Sequence, residues 1–101
     1  MAISVQTQNG ITTAFLSGEI DHHGARDMTV QLEETISTLL PMHMVLDLSG
    51  VTFMDSSGIA VLLRTHRQLA RHGGTLRVVS IPTQPRKVLD AAGLGRIITL
   101  D

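Results

Sequence analysis

The sequence predicts an α/β fold, a mixed sheet of about five strands covered by helices. Three observations carry this. Asn9-Gly10 separates two runs of alternating polarity near the start of the chain. The hydrophobic period then shifts to helical spacing three times, each time followed by a short apolar run. Finally, the apolar run Met44–Leu48 gives way to a polar loop that runs straight into an amphipathic helix. The resulting order is β-β-α-β-α-β-α-β. Strand–helix–strand crossovers are right-handed and join parallel neighbours, so the last three strands should be parallel and the opening hairpin antiparallel.

Each element has a local reason. Ile3, Val5 and Thr7 alternate with polar residues, as do Ile11, Thr13 and Phe15, and Asn-Gly between them accepts the positive φ of a tight hairpin turn. Strands are expected at 3–8 and 11–17, followed by a loop over 17–24. From Ala25, Met28, Leu32, Ile36, Leu39 and Leu40 recur at helical spacing until Pro41 ends the helix. Met44–Leu48 reads as a central strand buried on both faces. The next helix continues to about His72, where Gly73-Gly74 stops it. Leu76–Val79 is a strand, and Pro82-Thr83 opens a short helix with Val88, Leu89 and Ala92 inward. Ile97–Leu100 closes the sheet.

Composition narrows the function classes. The 101 residues suit one domain, 1–101, with a single core. Hydrophobic residues make up 43%, and Phe15 and Phe53 are the only aromatics, so the core must be aliphatic and filled by methionine. No apolar run approaches the roughly 20 residues of a membrane span, and Met1-Ala2-Ile3-Ser4 lacks the pattern of a signal peptide. Cysteine is absent, which removes disulfides, thiolate nucleophiles and Cys-type zinc sites. A cytoplasmic protein is expected. The net charge of −1 gives no electrostatic footprint for direct nucleic-acid binding. Arg64, Arg67 and Arg71 share one helix face at about 100° per residue, opposite Ile59, Leu62, Leu63 and Leu69. A solvated stripe is the leading reading of that face, and a patch for an acidic partner the other.

Chemistry concentrates at Phe53-Met54-Asp55-Ser56-Ser57-Gly58. Ser56 and Ser57 fall on the cap or first turn of a helix, and Gly58 permits close approach of another segment. Free N–H groups and a partial positive charge at a helix start stabilise an anion. A phosphoserine there would add roughly −1.5 to −2 charge without melting the helix. It would join Asp55 and, from a second loop, Glu19 and Asp21. Serine or aspartate before a helix is more often a plain cap than a phosphoacceptor, so on the residues alone the cap reading leads. A metal at His22-His23 is disfavoured because adjacent side chains diverge, and His43, His66 and His72 form no ligand pair. A triad of Asp55, Ser56 and a histidine lacks a Gly-x-Ser-x-Gly elbow. Gly93-Leu94-Gly95 lacks a phosphate-binding fingerprint. No catalytic residue, metal or cofactor is expected.

The pair of motifs Gly18-Glu19-Ile20-Asp21-His22-His23 and Phe53-Met54-Asp55-Ser56-Ser57-Gly58 resembles the STAS-domain anti-sigma-factor antagonists of the sporulation type in Gram-positive bacteria. The likeness extends through Gly73-Gly74 and Ala92-Gly93-Leu94. It implies a partner switch. The unphosphorylated antagonist binds an anti-sigma factor that is itself a serine kinase, and so frees a sigma factor. The kinase phosphorylates the first serine after the aspartate, here Ser56, and a PP2C-type phosphatase reverses this. The same resemblance gives Asp55 a docking role, Ser57 a supporting one beside Gly58, and the Asp21 loop a share of the contact surface. Members commonly continue past the last strand with a further helical segment, whereas this sequence ends at Asp101; the switch core is expected to survive without it. Two other classes compete: a STAS module that senses a small molecule or nucleotide or serves a larger signalling or transport assembly, and a hydrolase using Ser56.

Overall fold

Asn9 and Gly10 both take positive φ, 53° and 78°, and form the two-residue turn that joins β1 (Ala2–Gln8) to β2 (Ile11–Ile20). A type I′ turn demands this at both central positions, and its twist matches that of the flanking strands. Gln8 faces Ile11 and Ala2 faces Ser17 across the antiparallel ladder. The computed structural model describes residues 2–101; Met1, the first residue of the expected domain range, lies outside them. After the hairpin come α1 (His22–Leu39), β3 (His43–Met54), α2 (Ser56–Ala70), β4 (Thr75–Val79), α3 (Thr83–Ala91), one turn of 3₁₀ helix (Leu94–Arg96) and β5 (Thr99–Leu100). The sheet runs β1-β2-β3-β4-β5, antiparallel at the first pair and parallel at the other three.

This order settles where the helices go. Three successive right-handed crossovers step in the same direction across the sheet, so all three helices land on one face. Burial follows it. Thr12, Ala14 and Leu16 of β2, Met44, Leu46 and Leu48 of β3, and Leu76 and Val78 of β4 are buried beneath the helices. Their neighbours Ile11, Phe15 and Arg77 point to the other face and are exposed, with Val45 and Asp47 half-buried. The central strand is therefore buried on one face rather than two. A short apolar run does not distinguish the cases, since Val45 alone fills the gap between Met44 and Leu46.

Other departures have similar causes. The expected loop over 17–24 is the end of β2 and the start of α1, separated by Asp21 alone. Gly18 and Glu19 stay in the strand because β3 is longer than Met44–Leu48 and pairs with them. Leu39 and Leu40 are exposed, because Leu40 leaves the helix at φ 46° to end it ahead of Pro41. On α2 the buried face is Gly58, Val61, Leu62, Thr65 and Leu69, with Ile59 and Leu63 only partly covered. Ala92 is exposed at the end of α3, where Pro85 and Leu89 point inward. The final strand has two residues, since Ile97 is exposed after the 3₁₀ turn while Ile98 is buried. The core is aliphatic: Met28, Leu32, Ile36, Met44, Leu46, Met54, Leu62 and Leu89 are among its fully enclosed side chains, and neither phenylalanine belongs to it.

Candidate functional site

β3 carries two more residues than the stretch of β2 it pairs with. Phe15 faces Asp47, Ser17 faces Gly50, Gly18 faces Val51 and Glu19 faces Phe53, so β3 bulges twice. The Asp47 carboxylate accepts the Ser49 N–H at 2.8 Å within the first irregularity. The bulges bring the two strands to a common finish, with Ile20 opposite Met54. Asp21 and Asp55 thus leave the carboxyl ends of adjacent parallel strands side by side. The Asp55 N–H donates to the Ile20 carbonyl at 3.2 Å and ties the corners together. Open α/β sheets place their binding surfaces at this end.

Each aspartate caps the helix that follows. Asp21 accepts the Gly24 N–H at 2.8 Å, and Asp55 accepts the Ser57 N–H at 2.8 Å, both from extended backbone. Replacing such a cap costs about 1 kcal/mol. Ser56 is therefore the first residue of α2 and exposed, while the next two N–H groups are engaged, Ser57 by the Asp55 carboxylate and Gly58 by the Asp55 carbonyl. Ser57 is half-buried, one residue further on. Gly58 is buried: a Cβ there would lie 2.5 Å from Met54 Cγ and 2.7 Å from its sulfur. Two of the expected site elements, the Asp21 corner and the Asp55-Ser56 corner, are brought together. Glu19 is not on a loop beside them but within β2, exposed, and it borders a shallow acidic surface with Asp21 and Asp27. Among the described residues no group of three or more histidine or acidic side chains could hold a metal, and no helix is long and apolar enough to cross a membrane.

Gln84 is the site residue that sequence reading misses. Its side-chain amide donates from Nε2 to the Met54 carbonyl and accepts the Met54 N–H at Oε1, both at 2.8 Å. It acts as one more strand partner for the last residue of β3 and holds the corner ahead of Asp55 from α3. Nothing in the sequence marks it, since a glutamine in the first turn of a helix reads as ordinary surface. Gln84→Leu should lower stability by roughly 1–2 kcal/mol, about 1 for each hydrogen bond lost. Urea unfolding measures this, and faster amide exchange at Asp55 would locate the loosening. Unchanged exchange there would deny Gln84 its positioning role.

A five-stranded mixed sheet with its helices on one face, two capping aspartates at adjacent strand ends and an exposed serine opening the second helix define a small α/β binding module. The chain belongs to the STAS domain family, whose profile matches residues 2–101. It is 32% identical over 100 residues to the anti-sigma F factor antagonist of Paenibacillus polymyxa, covering 99% of this chain and 86% of that protein. The anti-sigma F factor antagonist of Lysinibacillus sphaericus is 36% identical over 81 residues, 79% of this chain and 68% of the relative. Among solved structures, an anti-sigma factor antagonist from Mycobacterium paratuberculosis superposes with a TM-score of 0.87 at 27% identity, covering 98% of this chain and 83% of that one.

Proposed function

We propose that this protein is an anti-sigma-factor antagonist of the sporulation type, controlled by phosphorylation of Ser56 in a cytoplasmic partner switch. The unphosphorylated form binds an anti-sigma factor that is also a serine kinase, and the sigma factor is released. The observation that carries the reading is the placement of Asp21 beside Asp55 with Ser56 exposed between cap and helix. Asp21, Asp55, Ser57 and Gly58 then form the docking surface around the acceptor, within a module spanning residues 1–101.

The protein itself catalyses nothing in this scheme. Asp55 Oδ1 is engaged as the cap of α2, accepting the Ser57 N–H. The base must come from the kinase. Ser56 Oγ attacks the γ-phosphorus of ATP, a new O–P bond forms, the bond to the ADP oxygen breaks, and the serine proton passes to the kinase. The helix start stabilises the product phosphate. A PP2C-type phosphatase hydrolyses the ester and restores the binding form. Ser56 is exposed at the helix start, which leaves it open to both enzymes.

Incubation with the cognate anti-sigma kinase and Mg-ATP, followed by intact-mass spectrometry, tests this. The expected result is one added phosphoryl group on the parent and none on Ser56→Ala. Equal addition to the variant would move the acceptor to Ser57. No addition to either, with the kinase active on another substrate, would favour the sensing-module reading.

A further inference from the structure

The exposed arginine row on α2 borders a shallow furrow. α1 and α2 run side by side, joined by Gln68 Nε2 donating to the Glu33 carbonyl at 3.1 Å and by the Arg64–Glu33 pair at 2.7 Å. Between the helices lie two concavities. One, of about 350 Å³, begins at His22 and Ser57 and has Ala25, Val30, Ala60 and Val61 as its apolar floor. The other, of about 280 Å³, is walled by Arg67, Arg71 and Glu33. Arg64 lines both, so the two concavities adjoin, with the Arg64–Glu33 pair joining the helices where they meet. From Ser57 to Arg71 the path along them spans about 21 Å at 1.5 Å per residue.

We infer that this furrow docks an acidic, amphipathic helical segment of a partner protein, its apolar side on Val30, Ala60 and Val61 and its carboxylates on Arg67 and Arg71. The inference deepens the partner-switch reading and rests on it only for the partner's identity. Charge complementarity selects the occupant. Four of the chain's eight basic residues, Arg26, Arg64, Arg67 and Arg71, line the furrow against one carboxylate, Glu33, in a chain whose net charge is −1. Of these four only Arg64 holds an ion pair among the described residues. Arg64, Arg67 and Arg71 stand at i, i+3 and i+7, where like charges weaken a helix rather than support it. Arg64 joins α2 to α1 through Glu33 and Arg67 suits the last turn of the helix, while Arg67 and Arg71 hold no ion pair among the described residues. Guanidinium groups pair with carboxylates in bidentate fashion, which fixes register as well as sign. Val30 is 51% exposed on the same path and offers an apolar seat beside the charges.

The test uses the full chain, ¹⁵N-labelled, and a helical peptide of about 14 residues, long enough to span the path. The peptide carries leucine at i, i+3, i+4 and i+7 and glutamate elsewhere; a second peptide has lysine for glutamate. The glutamate peptide should shift amides of α1 and α2 along the furrow, and the lysine peptide should shift none. Arg67→Glu/Arg71→Glu should stay folded, with a somewhat lower unfolding midpoint because acidic groups oppose the dipole at a helix C-terminus. It should bind the glutamate peptide and the anti-sigma factor at least tenfold more weakly. Shifts elsewhere, no shifts, or unchanged affinity of the reversed variant would overturn the inference. So would flotation with phosphatidylglycerol vesicles in the absence of peptide shifts, which would assign the furrow to a lipid surface. A chain that takes the peptide but binds no anti-sigma factor would sink the partner-switch reading and leave the furrow standing. Binding of the anti-sigma factor indifferent to Arg67 and Arg71 would do the reverse.

Discussion

Ser56→Asp should fold as the parent does and bind the anti-sigma factor about a hundredfold more weakly, a loss of roughly 3 kcal/mol. The argument is electrostatic and local. Residue 56 opens α2, where the helix dipole favours a negative group and offsets repulsion from Asp55, so the fold should tolerate the charge. The same charge lies beside Asp55 and Asp21 on the surface proposed to meet the partner. A docking surface matched to two carboxylates is opposed by a third, and more strongly by a phosphate at roughly −1.5 to −2. Isothermal titration of parent, Ser56→Asp and Ser56→Ala against the anti-sigma factor separates charge from shape. Ser56→Ala should retain the parent's affinity. If Ser56→Asp also retains it, the switch does not work by charge at this position. Rising salt should narrow the gap between the two variants, since exposed charges are screened within about 10 Å at 0.1 M.

Gly58→Val should destabilise the fold by about 3 kcal/mol, although valine is the better helix former by a few tenths. The missing side chain is where Met54 packs: an added Cβ would meet Met54 Cγ at 2.5 Å, the sulfur at 2.7 Å and the terminal methyl at 3.0 Å. Met54 is fully enclosed and its backbone is held at both polar groups by Gln84, so it has no free direction to retreat. The strain should appear in urea unfolding as a lower midpoint with an unchanged slope. Combining Gly58→Val with Met54→Ala should recover part of the loss, because the two substitutions act on one volume. Strict additivity would show that the clash is relieved elsewhere. Because residue 58 shares its helical turn with Ser56, the same strain should also reduce partner affinity.

The hairpin, the three helices and the Asp55-Ser56 corner were legible in the sequence because their signals are local, whereas the start of α1 at His22, capped by Asp21, was read as loop. Asn9-Gly10 dictates its own turn, the 3.6-residue period of Met28, Leu32 and Ile36 faces one side whatever it packs against, and an aspartate before a helix finds its N–H two or three residues on. That Glu19 and Asp21 would join Asp55 at one edge was expected from the sequence, and the family resemblance paired the two motifs. The strand register that brings them level was not legible. The strand ends were misread where the alternation broke. After Leu48 the buried positions step to Val51 and Met54, and a period-two reading stops at Ser49-Gly50. Exposed Leu39, Leu40 and Ala92 show the same limit, since apolar character at a helix end does not say whether the sheet still lies beneath it.

The amino-acid sequence by itself therefore determined the elements, their order and the cap region Asp55-Ser56 at the exposed start of α2. Each follows from residues within a few positions of one another. The tertiary structure alone decided that Ile20 and Met54 finish level, that Gln84 reaches back 30 residues to hold Met54, and that the arginines of α2 line a furrow with α1. Those outcomes depend on strand register and helix apposition between distant segments. No local period encodes either, because both are set by the packing of the whole sheet and its single helical layer.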